Sequence, residues 1–410
     1  MTTYNQNKNQ KSSSPIACKR TSIVLNGIIF LILSSFLLNG CTEPYILETN
    51  TYEEALVVEA TITNELKKQE ITLTKTARFE DKEIQIEKGA KVFITDNTGI
   101  QYDFKEESGK YISTTEFQAV SGKEYRLNIK TSDGRTFESS TETLTPINAM
   151  QEVKAAVETK DSLRGVGIRV SSYDPTNTAK YYRYEYEETY KIIAPKWVPS
   201  KSIALTEFTI GIIPNPTNTR ICYSTKKNTE LLLTNTNNLN EARLNFLVRF
   251  VSDQNYIITH RYSILVKQYV ESLASYTYYT TLKKISGSGS ILYPTQPGFI
   301  NGNVKSVNNE NDKIIGFFDV ASVSSKRIYF NYEELFPGEL APPYYTNCDQ
   351  DVYPLCFGPD PCRGADLIQG IELNKLAYQF HEGINYHMVN IECGDCTSFS
   401  SNIKPLFWED

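Results

Sequence analysis

Residues 70–75 read EITLTK and residues 124–130 read EYRLNIK. In the first, Ile71 and Leu73 alternate with Thr72 and Thr74; in the second, Tyr125, Leu127 and Ile129 alternate with Arg126, Asn128 and Lys130. An apolar residue at every second position puts one face of an extended chain into a core and leaves the other in water. The same period continues outward. ALVVEATIT (55–63), AKVFITD (90–96), IQYDFKE (100–106), KYIST (110–114) and RTFESS (135–140) each read as a strand. The breaks carry turn residues: Asp96-Asn97-Thr98-Gly99, Ser108-Gly109, Ser121-Gly122 and Ser132-Asp133-Gly134. About seven short strands in roughly 90 residues predict an immunoglobulin-like β-sandwich over 55–148. It holds no Cys and no Trp, which excludes an antibody-type domain.

Composition points the same way. The 410-residue chain has 27 Tyr and 19 Phe against 3 His and 3 Met, and aromatic side chains favour pleated, half-buried surfaces. With 42 Lys and Arg against 48 Asp and Glu, the net charge is −6. Lys8, Lys11, Lys19 and Arg20 all precede residue 41, and no acid accompanies them. Without those four, 38 basic residues face 48 acidic ones, a charge of −10 from Cys41 onward. Nucleic acid, which rewards basic patches, is set aside as a partner.

Residues 23–38, IVLNGIIFLILSSFLL, follow the basic leader and end at Asn39-Gly40-Cys41. This run is interrupted by Asn26, Ser34 and Ser35 and is shorter than the roughly 20 apolar residues of a membrane-spanning helix. A cleaved export signal is therefore expected. Leu38-Asn39-Gly40-Cys41 resembles the bacterial lipobox, with an apolar residue three before the Cys and a small one immediately before it. The resemblance implies cleavage between Gly40 and Cys41 and acylation of Cys41. Several acyl chains on one residue make a stable membrane anchor. No Asp stands at position 42, the residue that by analogy retains such proteins at the inner membrane. The expected location is the outer membrane, facing either the periplasm or the exterior. Residues 1–40 then form a signal peptide and 41–54 a lipid-anchored linker.

From 149 to 410 a larger β-rich domain is expected, entered through the polar residues between Pro146 and Arg164. GIRVSSYD (167–174), KYYRYEYEETYKII (180–193), 244–250, 257–268, KIIGFFDVASV (313–323) and KRIYFNY (326–332) read as strands. ESLASYTYYTTLKK (271–284) is the one clear helix. Leu273, Tyr276, Tyr279 and Leu282 recur every three residues, with Glu271 near its start and Lys283-Lys284 near its end, as the helix dipole prefers. SGSGS (286–290) ends it as a flexible loop. Within 180–193, Tyr182, Tyr184 and Tyr186 share one face, and Arg183, Glu185 and Glu187 share the other. Such a tyrosine face packs in a core with its hydroxyls at the rim, or else forms a stacking platform for a sugar or another planar ligand.

Beyond Cys18 and Cys41 there remain Cys222, Cys348, Cys356, Cys362, Cys393 and Cys396, five of them in a Cys-rich tail at 348–396. In an exported protein such an even set reads as a disulfide framework, with 15 possible pairings. APPYYTNCDQDVYPLCFGPDPCRG (341–364) is rich in Pro, Gly and Asp and shows no period, so cross-links are expected to hold it. Cys393 and Cys396 also have the spacing of a thiol oxidoreductase or of half a zinc site, with His381 and His387 as weak candidates for the remaining ligands. The residues that follow, TSFSSNIKP, lack the helical period of a redox motif. HEGIN (381–385) departs from the H-E-x-x-H metalloprotease pattern at Asn385. No metal or other cofactor is expected. His260, His381 and His387 have no triad context, and no carboxylate pair stands out as an acid/base couple. No catalytic residue is assigned, and a non-enzymatic protein is expected.

Several stretches occur together in one known family. They are VVEATITN (57–64), CYS (222–224), RYSILVKQ (261–268) with the aromatic helix after it, GNV (302–304), IIGFFDVASVSSKRI (314–328), CGDC (393–396) and KPLFW (404–408). In these, and in their order along the chain after Cys41, the sequence resembles the Bacteroidetes lipoproteins grouped as domain of unknown function 4249. The resemblance implies an outer-membrane lipoprotein encoded beside a TonB-dependent receptor, and it supplies no catalytic residues. The functional expectation is an accessory binding partner of such a receptor in nutrient uptake, with a small-molecule or glycan ligand that the sequence does not identify. An exported glycan-active hydrolase, a structural or adhesive surface protein and a metal-acquisition lipoprotein are the alternatives.

Overall fold

The alternating segments of 55–140 all become strands in the computed structural model, which describes residues 54–76, 85–215, 218–287, 300 and 302–410. The expected signal peptide, with Gly40 and Cys41, and nearly all of the expected linker lie outside the described residues. The fold is mostly β. Strands Leu56–Thr63, Glu70–Lys75, Lys110–Ser113, Gln101–Glu107, Lys91–Asp96, Glu124–Lys130 and Thr136–Ser139 pair antiparallel in that spatial order. Their core-facing apolar positions, among them Ile71, Leu73, Ile94, Leu127 and Phe137, are buried in one core.

Two strands from far downstream complete this core, and the range 55–148 does not contain them. The first half of Ile314–Phe330 pairs parallel with Leu56–Thr63, and Val304–Ser306 pairs antiparallel with Thr136–Ser139. Val304, Phe318 and Val320 are buried with the core. The two late strands meet at Gly302 and Gly316. A Cβ on Gly302 would sit 1.5 Å from the Gly316 carbonyl oxygen, so no other residue fits there. Beside it, the Asn303 side-chain amide donates to the Phe318 carbonyl (2.9 Å), and its oxygen accepts from the Phe318 N–H (2.7 Å). The two ends of the curled sheet are thereby joined.

The second half of Ile314–Phe330 leaves this sheet and pairs antiparallel with Tyr262–Glu271. It forms the edge of a central sheet ordered 221–227, 181–193, 262–271 and 322–330, with Leu232–Asn235 alongside 181–184. A second sheet, Met150–Lys160, Leu163–Asp174 and Ala242–Ser252, shares a core with one face of the central sheet; Val166, Ile168, Tyr182, Tyr184 and Ile264 belong to it.

Local departures from the sequence reading have local causes. The polar passage at 150–160 is a strand. It lies at a sheet edge where only Met150 and Val153 are buried, so no apolar alternation marks it. Residues 256–258 form a 3-10 turn capped by Asn255, whose side chain accepts from the Ile257 N–H (3.2 Å), and the following strand begins only at Tyr262. The two segments expected at 313–323 and 326–332 are a single strand, because Ser324, Ser325 and Lys326 stay paired with Gln268, Lys267 and Val266. The helix spans Leu273–Gly287. The Ser272 hydroxyl accepts from the Ser275 N–H (3.0 Å) at its start, while Glu271 remains in the preceding strand.

The tail forms a small antiparallel sheet, Asp351–Pro354, Asn385–Asn390 and Leu376–Glu382. A helix at Gly364–Glu372, unmarked in the sequence reading, packs Leu367 against Tyr353, Tyr386 and Met388. No helix among the described residues is long and apolar enough to cross a membrane.

Candidate functional site

Strand Tyr181–Ile193 has the two faces that its alternation predicts, and they differ in fate. Tyr182 and Tyr184 are 0% and 1% exposed. The Tyr182 hydroxyl donates to the Ala179 carbonyl (2.9 Å) and that of Tyr184 to Gln268 Oε1 (2.9 Å); the Tyr184 ring stacks on Phe246 at 5.0 Å. These rings are core, so the three tyrosines do not form a stacking platform. Tyr186, on the same face, is half-buried with its ring 5.8 Å from the Arg249 guanidinium, at the strand edge where a cleft opens.

That cleft lies toward the opposite face. The register sets Arg183 opposite Tyr269, Glu185 opposite Lys267, and Glu187 opposite Leu265 and Lys227 on its two sides. Two elements cover this face in part. Helix Leu273–Gly287 brings Tyr279 to 5.0 Å from the Arg183 guanidinium. The segment 404–410 lays Phe407 over Arg327 (3.5 Å) and Trp408 between Tyr223 and Tyr329 (ring centroids 5.0 and 6.3 Å). The uncovered strip is a cleft of about 300 Å³ that includes Arg183, Glu185, Glu187, Lys227, Leu265 and Lys267. Its wall exists because strand 181–193 changes partners, from 221–227 at residues 187–193 to 232–235 at residues 181–184. At the gap, Asn228 replaces the missing ladder: its side-chain oxygen accepts from the Tyr186 N–H (2.7 Å) and its own N–H donates to the Tyr186 carbonyl (3.1 Å).

Behind the cleft sits a buried charge cluster that the sequence reading did not find. Arg183 donates through Nε to Glu271 Oε1 (2.6 Å) and through Nη1 to Glu185 Oε1. Its guanidinium lies over the Tyr269 ring at 4.2 Å. The Ser275 hydroxyl donates to Glu271 Oε2 (2.5 Å) and lies 3.2 Å from Asp319 Oδ2. Burial pushes the Asp319 carboxyl well above the usual carboxylate range, and the adjacent Glu271 adds to it. Burial opposes ionisation of Glu271 as well, yet Arg183 beside it holds that group below its usual range. In this contacting pair ionisation is thus favoured at Glu271 and disfavoured at Asp319. At 3% and 1% exposure they are sealed from any substrate. The sequence signal for part of this existed: Arg183, Glu185 and Glu187 share the strand face opposite three successive tyrosines. Nothing local marks Asp319, which lies 48 residues beyond Glu271.

A second, shallower cleft of about 500 Å³ holds His260 with Lys191, Arg261, Glu333 and Glu339. Burial and the nearby Lys191 push His260 below its usual range, so it is a neutral imidazole at pH 7.

All six cysteines of the framework are bridged: Cys222 to Cys396, Cys348 to Cys393 and Cys356 to Cys362. The two cysteines of the C-x-x-C spacing are thus bonded to different distant partners, and neither is left as a thiolate for redox chemistry or metal ligation. His381 and His387 are taken up by ring contacts, His381 against Tyr386 (5.1 Å) and His387 against Phe380 (4.1 Å), and Tyr378 Oη hydrogen-bonds His381 Nδ1 at 2.8 Å. Among the described residues no group of three or more His, Cys, Asp or Glu is placed to hold a metal ion.

No curated protein matches the chain. Among solved structures, that of a DUF4785 family protein from Legionella pneumophila is 11% identical over 52% of this chain and 51% of that one, with a TM-score of 0.17. The chain spans about half the length of that protein. The family described as Domain of unknown function (DUF4249) matches residues 42–327, the stretch that holds the curled sheet, both sheets of the second core and the cleft but stops before the Cys-rich tail. The chain belongs to the DUF4249 family.

Proposed function

We propose that the protein is an outer-membrane lipoprotein of the Bacteroidetes type, anchored through Cys41, that serves a TonB-dependent receptor as a non-enzymatic binding partner in nutrient uptake. The observation that carries this reading is the cysteine parity. The six cysteines downstream of residue 41 pair among themselves, so Cys41 is not needed as a disulfide partner and is left for acylation at its lipobox-like site. Three disulfides also suit an oxidising compartment outside the cytoplasm. A binding role is favoured over hydrolysis because the contacting carboxyl pair, Glu271 and Asp319, is buried behind Arg183 rather than exposed in the cleft.

The test has two parts. Cys41→Ala is expected to abolish palmitate labelling and release the protein from membranes. Mild detergent extraction of outer membranes is expected to recover the wild type with a receptor. Unchanged membrane retention of the variant, or recovery of the wild type only as a free monomer, would overturn the reading.

A further inference from the structure

The strip of sheet left open between helix Leu273–Gly287 and segment 404–410 has a lining of a particular kind. Three cations, Arg183, Lys227 and Lys267, and three anions, Glu185, Glu187 and Glu230, share it. A lining balanced in this way carries no net charge to favour an anionic or a cationic ligand. What it offers is donors and acceptors side by side. Carboxylates only accept and ammonium groups only donate, and the register sets Glu185 directly opposite Lys267 and Glu187 directly opposite Lys227. A hydroxyl does both at once, so neighbouring hydroxyls on one ring complement adjacent acceptor and donor groups.

The acceptors are also held in place. Glu185 takes Arg183 on Oε1 and the Tyr269 hydroxyl on Oε2 (3.1 Å), and Arg327 pairs with Glu187 at 3.4 Å. Arg183 is in turn fixed by Glu271 from behind. An ionised carboxylate has about four lone-pair positions, so Glu185 keeps about half of them for a ligand. Side chains already ordered lose little entropy on binding. Leu265 and Leu231 supply apolar surface for the C–H face of a ring. At about 300 Å³ the cleft stands at the lower end of small-molecule sites.

We propose that this cleft binds a neutral polyhydroxylated ligand of mono- or disaccharide size, with Glu185 and Lys267 as its central acceptor and donor. The proposal rests on the reading of the protein as a binding partner in uptake. It deepens that reading by naming the ligand class.

The test uses the full-length lipoprotein in a detergent without a sugar headgroup. Glucose, galactose, N-acetylglucosamine, maltose and cellobiose are titrated by saturation-transfer NMR and calorimetry, with glucuronate and glucosamine as charged counterparts. At least one neutral sugar is expected to bind, more tightly than its charged counterpart, and Glu185→Gln and Lys267→Met are each expected to weaken it about tenfold or more. Absence of binding by all five neutral sugars at about 10 mM, tighter binding of glucuronate than of glucose, or unchanged affinity in both variants would overturn the proposal. Receptor co-purification of the same variants separates the two readings. Co-purification without sugar binding defeats the ligand class alone, whereas sugar binding without co-purification defeats the receptor partnership alone.

Discussion

Strand Tyr181–Ile193 carries two faces built by the same alternation, and each meets a different end. On one face Tyr182 and Tyr184 go into the core between two sheets, with their hydroxyls satisfied by Ala179 and Gln268. On the other, Arg183 is buried with charged partners, while Glu185 and Glu187 remain at an open cleft. The aromatic face looks more like a ligand site in the sequence, yet it is the better packed of the two. Apolar area drives a ring into whatever second layer is available, and the sheet of Met150–Lys160, Leu163–Asp174 and Ala242–Ser252 is available here. A charged face resists such a cover unless each charge finds a partner. It is covered where Tyr279 of the helix and Phe407 of segment 404–410 supply contacts to Arg183 and Arg327.

The contrast between the faces can be broken by experiment. Tyr184→Ala should cost about 4 kcal/mol in denaturant unfolding, the range for removing a fully buried large ring. Tyr186→Ala, at the cleft wall, should cost about 1 kcal/mol. Equal losses would mean that the tyrosine face is not graded from core to rim. Next in size, Arg183→Met should cost about 3 kcal/mol by leaving Glu271 as a buried, unpaired carboxylate. Adding Glu271→Gln should recover part of that loss, and a double-mutant cycle that adds without coupling would show that the pair is not an interacting unit.

A pH-dependent effect concerns Asp319. Its carboxyl is raised in the fold by burial and by Glu271, with Ser275, Arg183 and Tyr279 also facing the cluster. Folding therefore favours the protonated form. The associated stability is fully present below the unfolded carboxyl pKa of about 3.9 and is lost as pH rises toward the raised value. Asp319→Asn is permanently neutral and escapes this loss. Its stability relative to wild type should grow from pH 4 to pH 8, by at most about 1.4 kcal/mol per pH unit. Parallel stability curves for the two proteins would show that Asp319 is ionised in the fold.

How far the sequence could be read differs by element. The seven strands of 55–140 were legible because each buries one face, and period two records that directly. Strand Met150–Lys160 left no such record, since an edge strand with two buried residues has almost no apolar pattern. Gly302, Asn303 and Gly316 could be quoted as motif residues, but their work, closing a sheet across 14 residues of chain, is visible only when the two backbones meet. The disulfide framework was legible as a set of six, while the pairing was not, because Cys222 finds Cys396 across 174 residues. At the cleft, Arg183, Glu185 and Glu187 could be placed together on one face, but their partners Lys267, Glu271 and Asp319 come from two other strands.

By itself the sequence determined local period: which segments extend, which residues share a face, which cysteines belong to a framework, and the lipobox-like stop at Gly40-Cys41. Those properties depend on residues a few positions apart. Only the tertiary structure decided which face of strand Tyr181–Ile193 stays open, that Arg183 faces a sealed carboxyl pair, and that a strand beginning at Ile314 completes a sheet begun at Leu56. The physical reason is that burial and ion pairing are settled by neighbours in space, and here those neighbours lie scores to hundreds of residues away along the chain.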